Sequence, residues 1–221
     1  MVAQAESKEL AEKGFLTSSC CPAFVNYIDK NFPELKPFVS HNLSPMATIA
    51  KYVKEHEKNC KTVFIGPCTA KKMEAQKEEV RPYVDAVMTF EELQALFDSR
   101  DLDITTLEES VLDNASYFGR IFARCGGLAD AVAEGLKEQN LQFVLQPCTC
   151  DGIEQCRVAL VKKRAGRLEA NFVEGMACVG GCVGGAGCLT HGERNKVEVD
   201  KYGKQALEKN IADSLAQLGD I

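Results

Sequence analysis

The spacing of apolar and polar positions predicts short helices alternating with short strands. Residues 3–12 carry Glu6, Glu9 and Glu12 at helical spacing. Pro22 suits the first turn of a second helix, where its missing N–H costs nothing, and Phe24, Val25, Ile28 and Phe32 then form the apolar stripe. Ser44-Pro45 reads as an N-cap and first-turn proline opening a helix to about His56, with Ile49, Tyr52 and Val53 inward. The apolar run Thr62 to Ile65 reads as a buried strand stopped by Gly66-Pro67, which leaves Cys68 at its end. Val84 to Met88 reads as another strand, and Thr89 with Glu92 as the capping box of a helix through Phe97. Beyond a loop rich in Asp, Glu and Thr, Gly126-Gly127 precedes a helix to about Glu138. Leu141 to Leu145 is strand-like, Val158 to Val161 and Leu168 to Val173 read as a hairpin around Ala165-Gly166, and a terminal helix starts near Lys201. Strands alternating with helices give an α/β fold with a largely parallel sheet, where sites lie at the carboxyl ends of strands.

A chain of 221 residues suits one large domain or two small lobes sharing a core, and 45% hydrophobic with 26% charged residues describes a globular protein. The net charge of -6, without a basic tract, argues against nucleic acid as a partner. No apolar run approaches the roughly 20 residues of a membrane span, and MVAQAESKEL lacks the basic and apolar regions of a signal peptide. A cytoplasmic location with no membrane contact is the expectation.

Cysteine changes the picture. Eleven Cys cannot all pair, and a reducing compartment disfavours structural disulfides. Cys60 is readily a buried small hydrophobe. The others sit beside Pro and Gly in turn-like sequence: SSCCP at 18–22, GPC at 66–68, PCTC at 147–150 and MACVGGCVGGAGC at 176–188. Soft thiolates on loops suit iron–sulfur clusters or zinc. Two adjacent side chains seldom bind one small cluster together, so Cys20 and Cys21 divide labour. Cys178 and Cys182 share a face if their segment is helical. Neither an adjacent pair nor a lone Cys68 resembles a C-x2-C zinc knuckle, which favours iron–sulfur. The glycines at 180–187 lack the GK[ST] of a phosphate loop and fit close backbone approach to a cluster better.

Three segments in order carry a resemblance. Ser18-Ser19-Cys20-Cys21-Pro22, Pro67-Cys68-Thr69-Ala70-Lys71-Lys72-Met73-Glu74 and Glu174-Gly175-Met176-Ala177-Cys178-Val179-Gly180-Gly181-Cys182 resemble the signature loops of [FeFe]-hydrogenase catalytic domains. Asp85 to Thr89 and Ile121 to Gly127 resemble connecting segments of that family. The resemblance implies a two-lobed iron-hydrogenase-like fold, its mostly parallel sheets flanked by helices and its metal site between the lobes. It also implies a single H-cluster-type catalytic domain over 1–221, without the family's usual opening segment or any ferredoxin-like module.

Carried over by position, Cys21, Cys68, Cys178 and Cys182 would hold a [4Fe-4S] cluster, with Cys182 also bridging to a diiron subcluster bearing CO, cyanide and a bridging dithiolate. Cys20 would be the terminal proton shuttle, Lys71 would donate to a cyanide ligand, and Met176 would shield the cluster, with Ser19, Pro67 and Phe122 as further cofactor contacts. Ser40, Glu6 and Glu9 match relay positions towards Cys20; a solvated acidic helix face is the competing reading for Glu9. The implied reaction is reversible H2 formation. The implied partners are a soluble electron carrier such as ferredoxin or a separate electron-transfer subunit, and hydrogenase maturation factors; a second copy in a homo-oligomer is a separate expectation, to be marked by an exposed apolar patch.

The chain departs from the family pattern at Gly66 (commonly Met), Met46 (Gln), Cys125 (Thr) and Cys188 (often Gln). Cys148, Cys150 and Cys156 lie outside the three loops and read as structural or spare thiols rather than a second cluster completed by Cys188 or Cys125. His41, His56 and His191 are isolated. Two alternatives from other classes are a cluster-assembly factor, in which the first residue of the Cys20-Cys21 pair is often Ala, and a redox or H2 sensor.

Overall fold

The computed structural model describes residues 1–110 and 115–217. Part of the acidic loop (111–114) and the last four residues lie outside them. In chain order the elements are α1 (Val2–Lys13), β1 (Leu16–Thr17), α2 (Pro22–Asn31), α3 (Pro45–His56), β2 (Val63–Ile65), α4 (Ala70–Glu74), β3 (Ala86–Met88), α5 (Phe90–Asp98), α6 (Tyr117–Ile121), α7 (Gly127–Glu138), β4 (Pro147–Asp151), α8 (Ile153–Arg164), β5 (Phe172–Met176), α9 (Glu193–Lys204) and α10 (Ile211–Ala216).

Every strand pair is parallel, in two separate sheets. One has the order β1-β5-β4, with Leu16 opposite Phe172 and Cys148 opposite Val173; the other pairs β2 with β3, Val63 opposite Ala86. Each sheet has its own packing centre. The larger gathers Leu10, Phe24, Ile28, Leu128, Leu160 and Phe172 around the three-stranded sheet. The smaller gathers Met46, Ala47, Val80 and Val84 beneath the two-stranded one. This is the mixed α/β, two-lobed arrangement expected, with helices flanking parallel strands.

Capping explains several boundaries. The Ser44 hydroxyl accepts from the Ala47 amide, and Thr89 and Glu92 form the reciprocal capping box foreseen at α5. Gly14 ends α1 at φ 74°, a left-handed turn that glycine adopts without a Cβ penalty.

Several expectations are corrected. Leu141 to Leu145 forms no strand, and Val158 to Val161 lies inside α8 rather than a hairpin. Of Leu168 to Val173, only Phe172 and Val173 are extended in β5. An apolar run this short does not distinguish strand from helix. Ile49 is 46% exposed, and Val63 and Ile65, in β2 itself, are 51% and 43% exposed rather than buried. Cys60 is only half-buried. The last helices begin earlier than foreseen, at Glu193, and break between Lys204 and Ile211.

Candidate metal centre

Parallel pairing sends the chain out of β1, β5 and β2 at their carboxyl ends, and those exits carry Cys20-Cys21, Cys178 and Cys68. The loops meet around a cavity of about 110 Å³ whose wall includes Cys20, Cys21, Cys68, Lys71, Met176, Cys178 and Cys182. All four expected ligands are therefore gathered from both lobes. Cys178 and Cys182 reach it without the helix that was entertained: 178–181 is a turn, and Cys182 starts a short 3-10 helix, Cys182–Gly184.

Backbone clamps hold the loops. Cys21 is the N-cap of α2, at the positive end of the helix dipole. The Cys182 amide donates to the Ala123 carbonyl at 2.7 Å, and the Cys125 amide to the Gly180 carbonyl at 3.0 Å. A Cβ on Gly181 would lie 2.5 Å from the Cys125 nitrogen, and this residue sits at φ 87°, so only glycine fits. The Gly187 amide donates to the Pro67 carbonyl at 3.0 Å, tying the third loop to the loop of Cys68. The glycines thus serve backbone-to-backbone approach between loops, and Gly181 and Gly185 also line the cavity. Arg124 fixes the clamp through Asp130 at 2.8 Å and Asp200 at 2.6 Å.

The sulfurs are electrostatically strained. Burial, then the Cys21 and Cys68 sulfurs, pushes Cys182 up to about 12, with Lys71 pulling the other way. Burial and the same two sulfurs raise Cys178. Cys178 and Cys182, crowded in a dry site, resist ionisation unless a multivalent cation sits among the sulfurs. Among the described residues no three His, Cys, Asp or Glu side chains converge as a single ion requires. Four sulfurs spread around a cavity fit a multi-iron cluster, whose ligands bind separate irons.

Lys71 is buried on the wall. Its Nζ donates to Glu74 Oε2 at 2.6 Å and to the Cys20 carbonyl at 3.1 Å, which leaves one of three N–H donors for the cavity. The sequence reading quoted Glu74 without giving it a part, although its i, i+3 spacing from Lys71 was the available signal. Asp151 and Glu174 were also missed. Asp151 accepts the Gly180 amide between two of the thiols, and Glu174 accepts the amides of Gly126 and Ala129 at 2.8 Å each, anchoring the N-terminus of α7 to β5. Burial raises the Glu174 pKa against the pull of those two amides. No local motif marks contacts across 29 to 48 residues.

Beneath Cys20 the structure assembles the other expected residues. The Ser40 hydroxyl donates to Glu9 Oε2 at 2.9 Å, and Asn42 donates to the same oxygen at 2.8 Å. Glu9 also accepts from Lys13 at 2.6 Å and, opposing its partial burial, these donors hold its pKa below the ordinary range. Glu6 is fully buried, and neither carboxylate oxygen has a hydrogen-bond partner among the described residues. Burial pushes its pKa to about 8; the Ser19 backbone and Ser40 hydroxyl favour the charged form only in part. Burial first, and the nearby Glu6 carboxylate second, lift the Cys20 thiol well above the ordinary range. Ser19, Pro67 and Phe122 do not line the cavity. The Ser19 hydroxyl is turned to the Asn42 carbonyl, Pro67 contributes its carbonyl to the clamp, and Phe122 packs against the apolar cores.

An α/β fold whose parallel strands and following loops bring four thiols to one cavity is the arrangement of the cysteine-rich, iron–sulfur class of folds. The chain belongs to the family described as iron only hydrogenase large subunit, C-terminal domain, which matches residues 1–186. It is 28% identical to Iron hydrogenase 1 of Clostridium pasteurianum over 213 residues, covering 77% of this chain and 37% of that one. It is 36% identical over 91 residues to a cytosolic Fe-S cluster assembly factor of Kluyveromyces lactis, covering 41% of this chain and 19% of that protein. The chain thus spans well under half the length of both. A solved [FeFe]-hydrogenase, whose structure reveals stepwise H-cluster assembly, shares the fold at a TM-score of 0.72 and 21% identity, covering 98% of this chain and 76% of its own. No helix among the described residues is long and apolar enough to cross a membrane.

Proposed function

We propose that the chain is an [FeFe]-hydrogenase catalytic domain that forms H2 reversibly from two protons and two electrons. Cys20 carries this reading. Holding a cubane takes four thiolates, and the cavity wall offers a fifth sulfur beside them, next to a buried carboxyl. Cys21, Cys68, Cys178 and Cys182 would hold a [4Fe-4S] cluster, and Cys182 would also join it to a diiron subcluster with CO, cyanide and a bridging dithiolate. That assembly would supply the open iron site and the electrons.

The chain's own residues would handle protons and exclude water. Glu9 stands nearest solvent and shares a proton path with Ser40, while Glu6 remains largely protonated near neutral pH and Cys20 retains its proton until an acceptor is presented. Lys71 would turn its free N–H to an anionic ligand, locked in place by Glu74. Met176, almost wholly buried on the wall, would keep water from the site. Electrons would come from a soluble carrier such as ferredoxin or a separate electron-transfer subunit, and maturation factors would install the diiron unit. A reducing, cytoplasmic compartment suits eleven unpaired thiols.

The second reading is an iron–sulfur protein without turnover, favoured by the similarity to the Kluyveromyces lactis assembly factor. The deciding experiment reconstitutes the chain with iron and sulfide, adds a synthetic diiron precursor, and records infrared bands of CO and cyanide together with H2 evolution. Bands and gas support the hydrogenase. Cubane spectra with neither favour the second reading. Cys20→Ala is expected to keep both metal units and lose nearly all turnover.

A further inference from the structure

Outside the cavity a second group of sulfurs is built into one edge of the larger sheet. β4 is the edge strand, and Cys148 and Cys150, two residues apart, point to the same face with their Sγ atoms 3.8 Å apart. Cys156, from the first turn of α8, lies fully buried behind Cys150 and is turned to the Met176 carbonyl at 3.5 Å. The pair opens onto a cleft of about 310 Å³ whose wall also holds Glu154, Val158, Lys162 and Leu168. Cys148 is half-buried and reachable from that cleft, whereas Cys150 is 1% exposed. One accessible sulfur, a second in contact behind it and a cleft in front make the arrangement of a thiol–disulfide exchange site. Metal binding is less well served: Cys156 meets Cys150 from behind, but among the described residues the three sulfurs do not converge on a position that a single ion could take.

We propose that Cys148 and Cys150 form a reversible dithiol–disulfide site that exchanges with a low-molecular-weight disulfide entering this cleft. Cys148 attacks one sulfur of that molecule, forming a mixed disulfide and releasing one thiol, which leaves with the proton Cys148 gives up. Cys150 then attacks the Cys148 sulfur, releasing the second thiol with its own proton. Two electrons pass from the protein sulfurs to the small disulfide. Its S–S bond is the one broken, and Cys148–Cys150 is the one formed. The neighbouring Cys150 sulfur and burial hold the Cys148 thiol well above its ordinary range, and Lys162 on the cleft wall offsets this only in part, so exchange is slow near neutral pH and quickens as pH rises. Cα atoms two apart in a strand are about 6.6–6.8 Å apart, at the long end of the disulfide range. The bond therefore draws in the end of β4, and a bond that works against its strand is readily reduced. An edge strand accommodates this because only one neighbour is disturbed.

The test uses the full chain reconstituted anaerobically with iron and sulfide, so that the cavity thiols are engaged, and equilibrated with oxidised and reduced glutathione at graded ratios. Differential alkylation and mass spectrometry then locate each oxidised sulfur. Cys148 and Cys150 are expected to become protected together, with loss of two hydrogens, at ratios that leave Cys60 alkylated. Dithiothreitol should restore both. Cys148→Ser, at a half-exposed position where the fold tolerates a hydroxyl, should leave Cys150 fully alkylated, and Cys156→Ala should leave the pair intact. A persistent glutathione adduct on Cys148, a Cys150–Cys156 bond in place of the expected one, or bound zinc that shields all three thiols would each overturn the proposal. The readout is independent of H2 chemistry, so it stands or falls apart from the hydrogenase reading.

Discussion

Replacing Glu74 by alanine isolates the contribution of the Lys71 clamp. Both side chains are only 8% exposed, and the 2.6 Å contact between them is the sole carboxylate partner of Lys71 among the described residues. At an effective dielectric of about 20, two unit charges at that distance attract by about 6 kcal/mol. Much of this is cancelled by the cost of drying both ions, so the intact pair adds little net stability. Glu74→Ala removes the attraction and keeps the drying cost of Lys71, a loss of about 3–5 kcal/mol. Urea unfolding of the metal-free protein, compared at constant m-value, measures it. The double variant Lys71→Met/Glu74→Leu should recover most of the loss, because a similar apolar volume replaces two charges; it should not recover any activity that needs an ammonium. A loss below about 1 kcal/mol for Glu74→Ala, or additive losses in the cycle, would refute a dry and interdependent pair.

Gly181→Ala drives a Cβ against the Cys125 nitrogen at a backbone angle that only glycine adopts easily, and should cost about 3 kcal/mol and reduce iron uptake; Gly14→Ala, with open space around it, should cost about 1 and leave iron uptake intact. Thermal melts and iron assays distinguish them. Glu174→Ala strands the amides of Gly126 and Ala129 and should cost about 2–4 kcal/mol, read as faster hydrogen exchange at the start of α7. For Glu6 the sign follows from its raised pKa: between about 4.5 and 8 the folded state holds a proton that the unfolded state has released, so stability falls as pH rises through that window. The slope approaches about 1.4 kcal/mol per pH unit where the two states differ by a whole proton, and Glu6→Gln should flatten it. A wild-type curve that rises with pH across this window would contradict a neutral Glu6.

What the sequence made legible was punctuation and chemistry. Pro22, Ser44-Pro45 and the Thr89–Glu92 box place helix starts through contacts within a few residues, and all three are present. The sulfur-bearing loops were readable because thiols beside Pro and Gly are unusual. Illegible features depend on what packs across the chain. Val158 to Val161 looks like a strand until the turn from Gly152 commits it to a helix, and Ile49 looks inward until no partner covers it. Asp151 and Glu174 gain their positions from amides 29 and 45 to 48 residues away, a relation no local window contains.

The ligands are divided unequally between the two packing centres: Cys21, Cys178 and Cys182 come from loops around the larger sheet, Cys68 from the end of β2 in the smaller one. An inorganic core gripped by all four would therefore rivet one half of the molecule to the other. Chemical damage to such a rivet would be mechanical damage too. Release of iron would leave the halves joined by the packing of α2 on α4 and by carbonyl contacts such as those at Pro67 and Cys20, and a lesion begun at the metal would surface as looseness at the seam.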